Sequence, residues 1–340
     1  MRITSFTPMK NEGPYVLEWV AYHRMIGFND IHVFTNHCTD GTDLMLERLD
    51  EMGLLRHLPN PSVYTGSAHH HWAMLHYVNT FARLRRSDWV ASFDADEFVC
   101  VNAGEGRIEN LFDAIPEAQV ITMNQLNHGC AGHKKFRDAL QCETFTMSQA
   151  ETGIYRRPHN RRGTKSLTRG DAPMETLGNH SPVLREGAAE HVVWTNAGGK
   201  RLAPETCAAQ VKSLPAEDVS YEHVQLNHFA VRSLEAFLLQ KERGNANHAA
   251  HEADLAYFRK HDVNQVENGR IARQLPDLRE AVAALREDRE LDRLHRAAVA
   301  HHRARIKDLR AQEDYHALFM KTVRAHKRAW VEVEAATQAA

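Results

Sequence analysis

Four short apolar runs constrain this chain more than any other feature. Residues 2–8, Ile31 to Phe34, Leu54 to Leu58 and residues 89–93 each have strand length, and stretches of helical period separate them. Gly13-Pro14 opens the first helical stretch, in which Val16, Leu17, Val20, Tyr22 and Met25 recur near the helical repeat before Gly27 ends it. The second run leads into Thr35-Asn36-His37-Cys38-Thr39-Asp40-Gly41-Thr42, a polar turn that caps a helix carrying Leu44, Leu46 and Leu49. Residues 68–86 read as a longer helix. His69-His70-His71 lies at its start, and adjacent helical residues point apart, so the three do not share one ion. Alternation of this kind predicts an α/β fold with a mostly parallel sheet, helices on its faces and right-handed crossovers.

The fourth run ends abruptly in charge. Trp89-Val90-Ala91-Ser92-Phe93 is followed by Asp94-Ala95-Asp96-Glu97, and apolar residues resume at Phe98. Carboxylates at the carboxyl end of a buried strand stand where open α/β sheets place ligands. Like charges this close repel, and a divalent cation holding a phosphate relieves the repulsion. Asp94 and Asp96 fall on one side if the chain stays extended there. The alternative is a solvated turn whose acids cap the next element.

Composition narrows the class. The 340 residues suit one large domain or two smaller ones, and 43% hydrophobic with 25% charged residues is ordinary for a globular protein. A formal net charge of −2 gives no sign of a nucleic-acid partner. No apolar stretch approaches the roughly 20 residues needed to span a bilayer, and Met1 to Thr7 reads as a first strand rather than a signal peptide. Cys38, Cys100, Cys130, Cys142 and Cys207 are scattered without a Cys-x-x-Cys pair, so their spacing indicates neither a zinc site nor a disulfide framework. A reducing cytoplasm is the expected location.

Beyond residue 102 the pattern loosens. Gln119 to Met123 reads as a strand, while Asn127 to Arg185 reads as a set of binding loops. Val224 to Phe229 is short and apolar, and Ser233 caps a helix from Leu234 to about Arg243. After Pro276, Leu278, Val282 and Leu285 share one face, which predicts one or two amphipathic helices. Between Arg303 and Arg328 basic residues outnumber acidic ones by 8 to 3. Such a face suits anionic lipid at the inner membrane surface or a partner chain; a helical extension packed on its own domain is the alternative.

Several blocks, taken in order, carry a family resemblance. Lys10-Asn11-Glu12 with Leu17-Glu18-Trp19-Val20-Ala21-Tyr22-His23 comes first, then Asn36 with Thr39-Asp40-Gly41-Thr42, then Asp88-Trp89 through Glu97-Phe98. Gly129-Cys130-Ala131-Gly132-His133 with Glu143-Thr144-Phe145 follows. Last come Leu226-Asn227-His228-Phe229, Arg232-Ser233-Leu234-Glu235-Ala236-Phe237 and Lys241-Glu242-Arg243-Gly244. This chain resembles a glycosyltransferase of the GT-A fold, closest to the family-2-like bacterial group that also resembles family 92. The likeness spans roughly residues 3 to 245. His128 stands where that group has an aromatic residue, Thr144 replaces an arginine, and Phe229 replaces a tyrosine.

The resemblance implies a Rossmann-like, mixed but mostly parallel sheet flanked by helices, with a helical C-terminal extension. Residues 1–250 would form the catalytic domain, with a nucleotide-binding half (1–101) and an acceptor and metal half (102–250); residues 251–340 would form the extension. The implied activity is metal-dependent, inverting transfer of a sugar from a nucleotide-diphosphate sugar to a glycan or lipid-linked acceptor, in cell-surface polysaccharide biosynthesis. A retaining mechanism stays open. Mn2+ or Mg2+ would be held by Asp94, Asp96 and His228. Thr7, Lys10, Asn11, Glu12, Asn36, Asp40, Asp94, Lys165, Arg232 and Lys241 are the implied donor contacts, with Arg243 beside them. Asp96 and Glu143 are the implied catalytic residues, Glu143 as the base ahead of Asp138, His133 and Asp171. Two other classes remain: a haloacid-dehalogenase-like phosphohydrolase, whose acidic pair normally follows the first strand, and a non-catalytic nucleotide- or sugar-binding protein of the same fold.

Overall fold

The computed structural model describes residues 1–81, 86–151, 161–244 and 254–338. Fourteen strands are described: β1 (Ile3–Met9), β2 (Asp30–Thr35), β3 (Arg56–Pro59), β4 (Trp89–Ser92), β5 (Glu97–Val101), β6 (Val120–Asn127), β7 (Met147–Ser148), β8 (Arg161–Arg169), β9 (Met174–Thr176), β10 (Val183–Leu184), β11 (Trp194–Asn196), β12 (Ser213–Pro215), β13 (Val224–His228) and β14 (Val266–Glu267). The main sheet runs β3-β2-β1-β4-β8-β6-β13-β5, with β11 added to β6 and β12 to β8; β7 pairs with β14 and β9 with β10. The first four strands are mutually parallel. β8 is antiparallel to both β4 and β6, and β13 is parallel to β6 but antiparallel to β5. The sheet is thus mixed and mostly parallel, as expected.

The helices are α1 (Gly13–Ile26), α2 (Thr42–Glu51), α3 (Ser62–Thr65), α4 (His70–Thr80), α5 (Ile108–Ala114), α6 (Gln141–Thr144), α7 (Pro204–Cys207), α8 (Leu234–Arg243), α9 (Leu255–His261), α10 (Leu275–Arg286), α11 (Arg289–Ala311) and α12 (Glu313–Gln338). Local signals placed several of them well. Pro14 lies in the first turn of α1, where the missing N–H has no partner to lose, and Ser233 accepts the Ala236 N–H at the start of α8. The helix expected over 68–86 is seen as α4, and residues 82–85 lie outside the described residues, as does the boundary at 250/251.

Two expectations are corrected. The loop-rich segment contains β8, a nine-residue strand in the middle of the sheet. Its sequence, Arg161-Arg162-Gly163-Thr164-Lys165-Ser166-Leu167-Thr168-Arg169, lacks an apolar run because its buried side chains are largely polar. The C-terminal region forms three long helices, α10, α11 and α12, rather than one or two.

Helix α1 is pinned to the sheet by side chains that reach backbone carbonyls. The Trp19 indole N–H donates to the Glu97 carbonyl at 3.1 Å, and the Tyr22 hydroxyl donates to the Val99 carbonyl at 3.0 Å. On this face one continuous core joins α1, α2 and the strands to Leu278, Leu291, Leu294 and Ala298 from the C-terminal helices. Gly13 and Ala298 meet so closely that a Cβ on Gly13 would lie 2.6 Å from that of Ala298. The opposite face is covered by α4, with Met74 and Val78 against Phe6, Phe34 and Val90. Among the described residues no helix is long and apolar enough to cross a membrane.

His23 sits inside the first core, packed against Trp19, Phe28, Phe93 and Phe98. Burial pushes its pKa down to about 3, against a smaller upward pull from its hydrogen bond to the Trp19 carbonyl. The folded state therefore holds His23 neutral while the unfolded chain titrates near 6.5. Between those values the unfolded state binds more protons, so stability is complete above about pH 6.5 and falls as the pH drops toward 3. His23→Phe should flatten the fall between pH 6.5 and 4 in urea unfolding measured at a series of pH values; an unchanged slope would contradict this.

Candidate active site

The acidic turn does not stay extended. The Glu97 N–H closes on the Asp94 carbonyl at 3.1 Å, and the Asp94 N–H donates to the Glu97 carboxylate at 2.9 Å. This tight turn sends the aspartates to different partners. Asp94 lies 3.2 Å from the Lys165 ammonium and 3.3 Å from Nδ1 of His71. Lys165 also approaches the Glu97 carboxylate at 3.5 Å, and both side chains are fully buried. Gln125 donates to the other Glu97 oxygen at 2.6 Å.

The charges follow from this cluster. Burial opposes ionisation of Asp94, but Lys165 and His71 outweigh it and hold the carboxyl well below the usual range. Burial pushes Glu97 up to about 7 despite Lys165. Lys165 itself is raised, because Asp94 and Glu97 outweigh its desolvation. A cation without solvent access stays protonated because two carboxylates surround it.

Asp96 faces the other way. Its Oδ1 is 3.7 Å from Nε2 of His228. The antiparallel register of β13 on β5 sets His228 opposite Glu97, and the Phe229 N–H donates to the Asp96 carbonyl at 2.8 Å. Nδ1 of His228 lies 3.0 Å from Oδ1 of Asn127 on β6. With Nδ1–H assigned as the donor by that contact, Nε2 is the atom turned toward Asp96. A carboxylate oxygen beside an imidazole whose other nitrogen is fixed by a carbonyl is a donor set that fits manganese or magnesium, manganese the better of the two.

Beside the carboxyl ends of β1 and β2 lies a cavity of about 430 Å³. Lys10, Asn11, Asp40 and Arg232, all singled out in the sequence, line it together. Arg232 adopts a left-handed backbone, with φ of 54°. Its guanidinium stacks 3.7 Å over Tyr15, donates to Glu12 at 2.8 Å and to Gln141 at 2.5 Å, and leaves Nη2 without a partner among the described residues. Arg243 pairs with the same Glu12 carboxylate. The buried carboxylate thus faces two guanidinium groups; Lys10, Arg232, Arg243 and Arg305 line the cavity against Asp40 and Glu242, so the balance there stays positive with Glu12 included. That is an environment for an anion.

The other expected donor contacts are distributed differently. Asp40 accepts from the Gly13 N–H, the Thr42 N–H and hydroxyl, and lies 2.7 Å from Nε2 of His302; its work is to join the β1 and β2 loops to α11. Asn11 bonds Thr39 across the same loops. Thr7 Oγ1 and Asn36 Nδ2 are buried with no partner among the described residues. Lys165 lies beneath the turn rather than at the surface, and Lys241 stands over the Tyr315 ring at 5.9 Å. Glu143 is 46% exposed and pairs with Arg279 at 2.6 Å. Asp138 pairs with His295, Asp171 with Arg169, and the His133 ring lies edge-on to Phe145.

Sequence reasoning missed five contributors. His71 was read only as part of a helix start, yet it holds Asp94. His301, His302 and Arg305 of α11 line the cavity from a region outside every recognised block. His261 reaches the Asn127 oxygen that also holds His228, at 3.4 Å. Only His71 left a signal, a polar residue at the start of a helix next to the acidic strand; His261 and His302 meet their partners across more than 100 residues of chain, and His301 and Arg305 stand on α11 outside every recognised block.

The sequence profile of glycosyltransferase family 92 matches residues 4–202. Among solved structures, TarS 1–349 of S. aureus aligns over 100% of this chain and 92% of that one, at 13% identity and a TM-score of 0.33. The complex of TarS 1–349 with UDP aligns over 40% of this chain and 38% of that one, at 14% identity and a TM-score of 0.27. HddC from Yersinia pseudotuberculosis aligns over 53% and 84%, at 8% identity and a TM-score of 0.28. No curated protein matches the chain.

Removing the buried cation should expose how far the turn depends on it. Lys165→Met leaves the buried Glu97 and the partly exposed Asp94 without their cation, and urea unfolding should show a loss of about 3 kcal/mol. Asp94→Asn placed in the same chain should recover part of it. Equal loss in the single and double variants would contradict the role given to the ion cluster.

Proposed function

The chain belongs to glycosyltransferase family 92, and on that premise we propose that it transfers a sugar from a nucleotide-diphosphate sugar to a glycan or lipid-linked acceptor, with Mn2+ or Mg2+ held at Asp96 and His228. The observation that carries this reading is the pairing of Asp96 with a ring-anchored histidine at the carboxyl end of the sheet, in the same fold edge as the cation-lined cavity. When bound, the ion supplies Lewis acidity to a leaving diphosphate. Lys10, Arg232 and Arg243 provide the fixed positive charge that orients phosphate oxygens beside it. Asp94 stays with Lys165 and His71 and sets the turn that presents Asp96. Thr7 and Asn36, with buried polar atoms unpartnered among the described residues, offer hydrogen bonds to the nucleoside end.

A phosphohydrolase reading needs an aspartate free to attack phosphorus. Asp94 is bound to Lys165 and Asp96 faces His228, which favours the transferase. Calorimetry with a panel of nucleoside diphosphates, with and without manganese, tests the choice. Manganese-dependent binding is expected in the wild type and absent in Asp96→Ala. Asn127→Ala, which frees the His228 ring, should weaken it by about 10- to 100-fold. Absence of nucleotide binding, together with phosphate release from simple phosphomonoesters, would overturn the reading.

In an inverting transfer a base takes the acceptor proton. Glu143 fills that role in this reading by exchanging Arg279 for the acceptor hydroxyl. Glu143→Gln should then lower kcat by about 100-fold or more with the donor KM unchanged; an unaltered kcat would remove it from the chemistry.

A further inference from the structure

A second cluster lies apart from the acidic turn. Cys130 follows β6, Asp262 directly follows α9, and His326 lies on α12. Their exposures are 0%, 5% and 5%. Sγ of Cys130 is 3.2 Å from Nδ1 of His326, and Oδ2 of Asp262 is 2.7 Å from the same nitrogen. The three ligand atoms all lie within 4.8 Å of one another, and among the described residues no other group of three such side chains does so.

The convergence is informative. In a nucleophile relay, thiol and carboxylate occupy opposite nitrogens of the ring. Here the sulfur lies nearer Nδ1, at 3.2 Å, than Nε2, at 3.8 Å, and so shares with Asp262 a nitrogen that carries at most one proton. The surroundings hold each ligand atom in place. Asp262 Oδ1 accepts the Cys130 N–H at 2.8 Å and the Asn264 amide at 2.9 Å, which leaves Oδ2 to the centre. Asn264 also accepts the Ala131 N–H at 2.8 Å. Ala131 and Gly132 both have left-handed backbones, with φ of 46° and 81°, and curl the chain beside Cys130. Burial and the neighbouring Asp262 hold the Cys130 thiol well above its usual range, against a smaller pull from the Gly132 N–H, so without an ion the sulfur keeps its proton. A Cβ on Gly129 would lie 2.3 Å from the Asn264 oxygen, so the turn closes on Asn264 only because residue 129 has no side chain.

We propose that Cys130, Asp262 and His326 form a structural site for a divalent ion of the zinc class, separate from the Asp96–His228 pair. A thiolate, an imidazole and one carboxylate in a dry pocket select a borderline-soft ion over magnesium or calcium. Usual zinc bond lengths at the tetrahedral angle give N···O and S···N edges of about 3.3 and about 3.6 Å. Seating the ion therefore needs these edges to open by about half an ångström and the His326 ring to turn, so that the Nδ1 lone pair and not the ring face meets the ion. Three protein ligands leave the fourth position to water or a carbonyl. The ion would fasten α12, beyond the family-matched residues, to the turn in which His128 donates its N–H to the His228 carbonyl at 3.0 Å. Cysteine spacing hides such a site, because the ligands lie 132 and 196 residues from Cys130.

The test uses the full chain freed of any affinity tag and dialysed against a weak chelator, since 23 histidines give background binding. Plasma mass spectrometry should find about one zinc per chain in the wild type and in Asp96→Ala, and little in Cys130→Ser or His326→Gln. Zinc should raise the Tm of stripped wild type by about 5 °C or more, and a strong chelator should reverse this. If the Cys130 and His326 variants fail to fold, cobalt added to stripped wild type decides: a thiolate-to-cobalt charge-transfer band supports the site. Wild type without zinc, with no cobalt–thiolate band and a Tm indifferent to zinc and chelator, overturns it. Loss of manganese-dependent nucleotide binding in Asp96→Ala with zinc retained keeps the two sites distinct.

Discussion

A single ammonium group beneath the sheet's carboxyl edge organises the acidic turn of this protein. Lys165 has no exposed surface and sits between Asp94 and Glu97. Without it, Asp94 would lose the cation that keeps it ionised against burial, and Glu97 would lose the main charge that offsets its desolvation. With it, Asp94 is ionised and fixed, the turn closes through Glu97, and Asp96 is left as the carboxylate turned toward His228. The lysine comes from β8, the antiparallel strand inserted between β4 and β6, so sheet topology and site electrostatics have the same origin.

The C-terminal helices belong to the same construction. α10 and α11 contribute leucines to the main core, and the Arg48–Asp288 ion pair at 2.6 Å ties α2 to the start of α11. His302 meets Asp40 under the β1 and β2 loops, so the cavity has a wall from each half of the chain. The basic face that sequence composition suggested for lipid or a partner chain is partly used internally. Arg305 pairs with Glu242, and Arg310 pairs with Glu235.

What was legible in the sequence was local. Gly13-Pro14, Ser233 and the acidic turn after the fourth strand depend on neighbours within a few residues, and they appear where expected. β8 was missed because Thr164, Lys165, Ser166 and Thr168 are buried polar side chains. Lys165 finds its partners only across the sheet, and a pattern search built on apolar alternation discards such a strand. Asp40 shows the converse difficulty. A residue that ties a turn together and a nucleotide contact look alike in sequence; in the structure Asp40 accepts the Gly13 and Thr42 N–H groups and also lines the cavity. The Asp96–His228 pair joins residues 132 positions apart only because β13 lies against β5, so only the family blocks signalled it.

Arg232 holds a backbone conformation that side-chain-bearing residues seldom adopt. Its guanidinium is clamped by Glu12, Gln141 and the face of Tyr15 before any ligand arrives. An anion entering the cavity therefore meets a preorganised donor and avoids the roughly 0.5–1.5 kcal/mol otherwise needed to immobilise a long side chain. The same rigidity withholds accommodation. A phosphate displaced by a bulkier neighbour cannot draw Arg232 after it, so this residue makes the cavity discriminate by position as well as by charge.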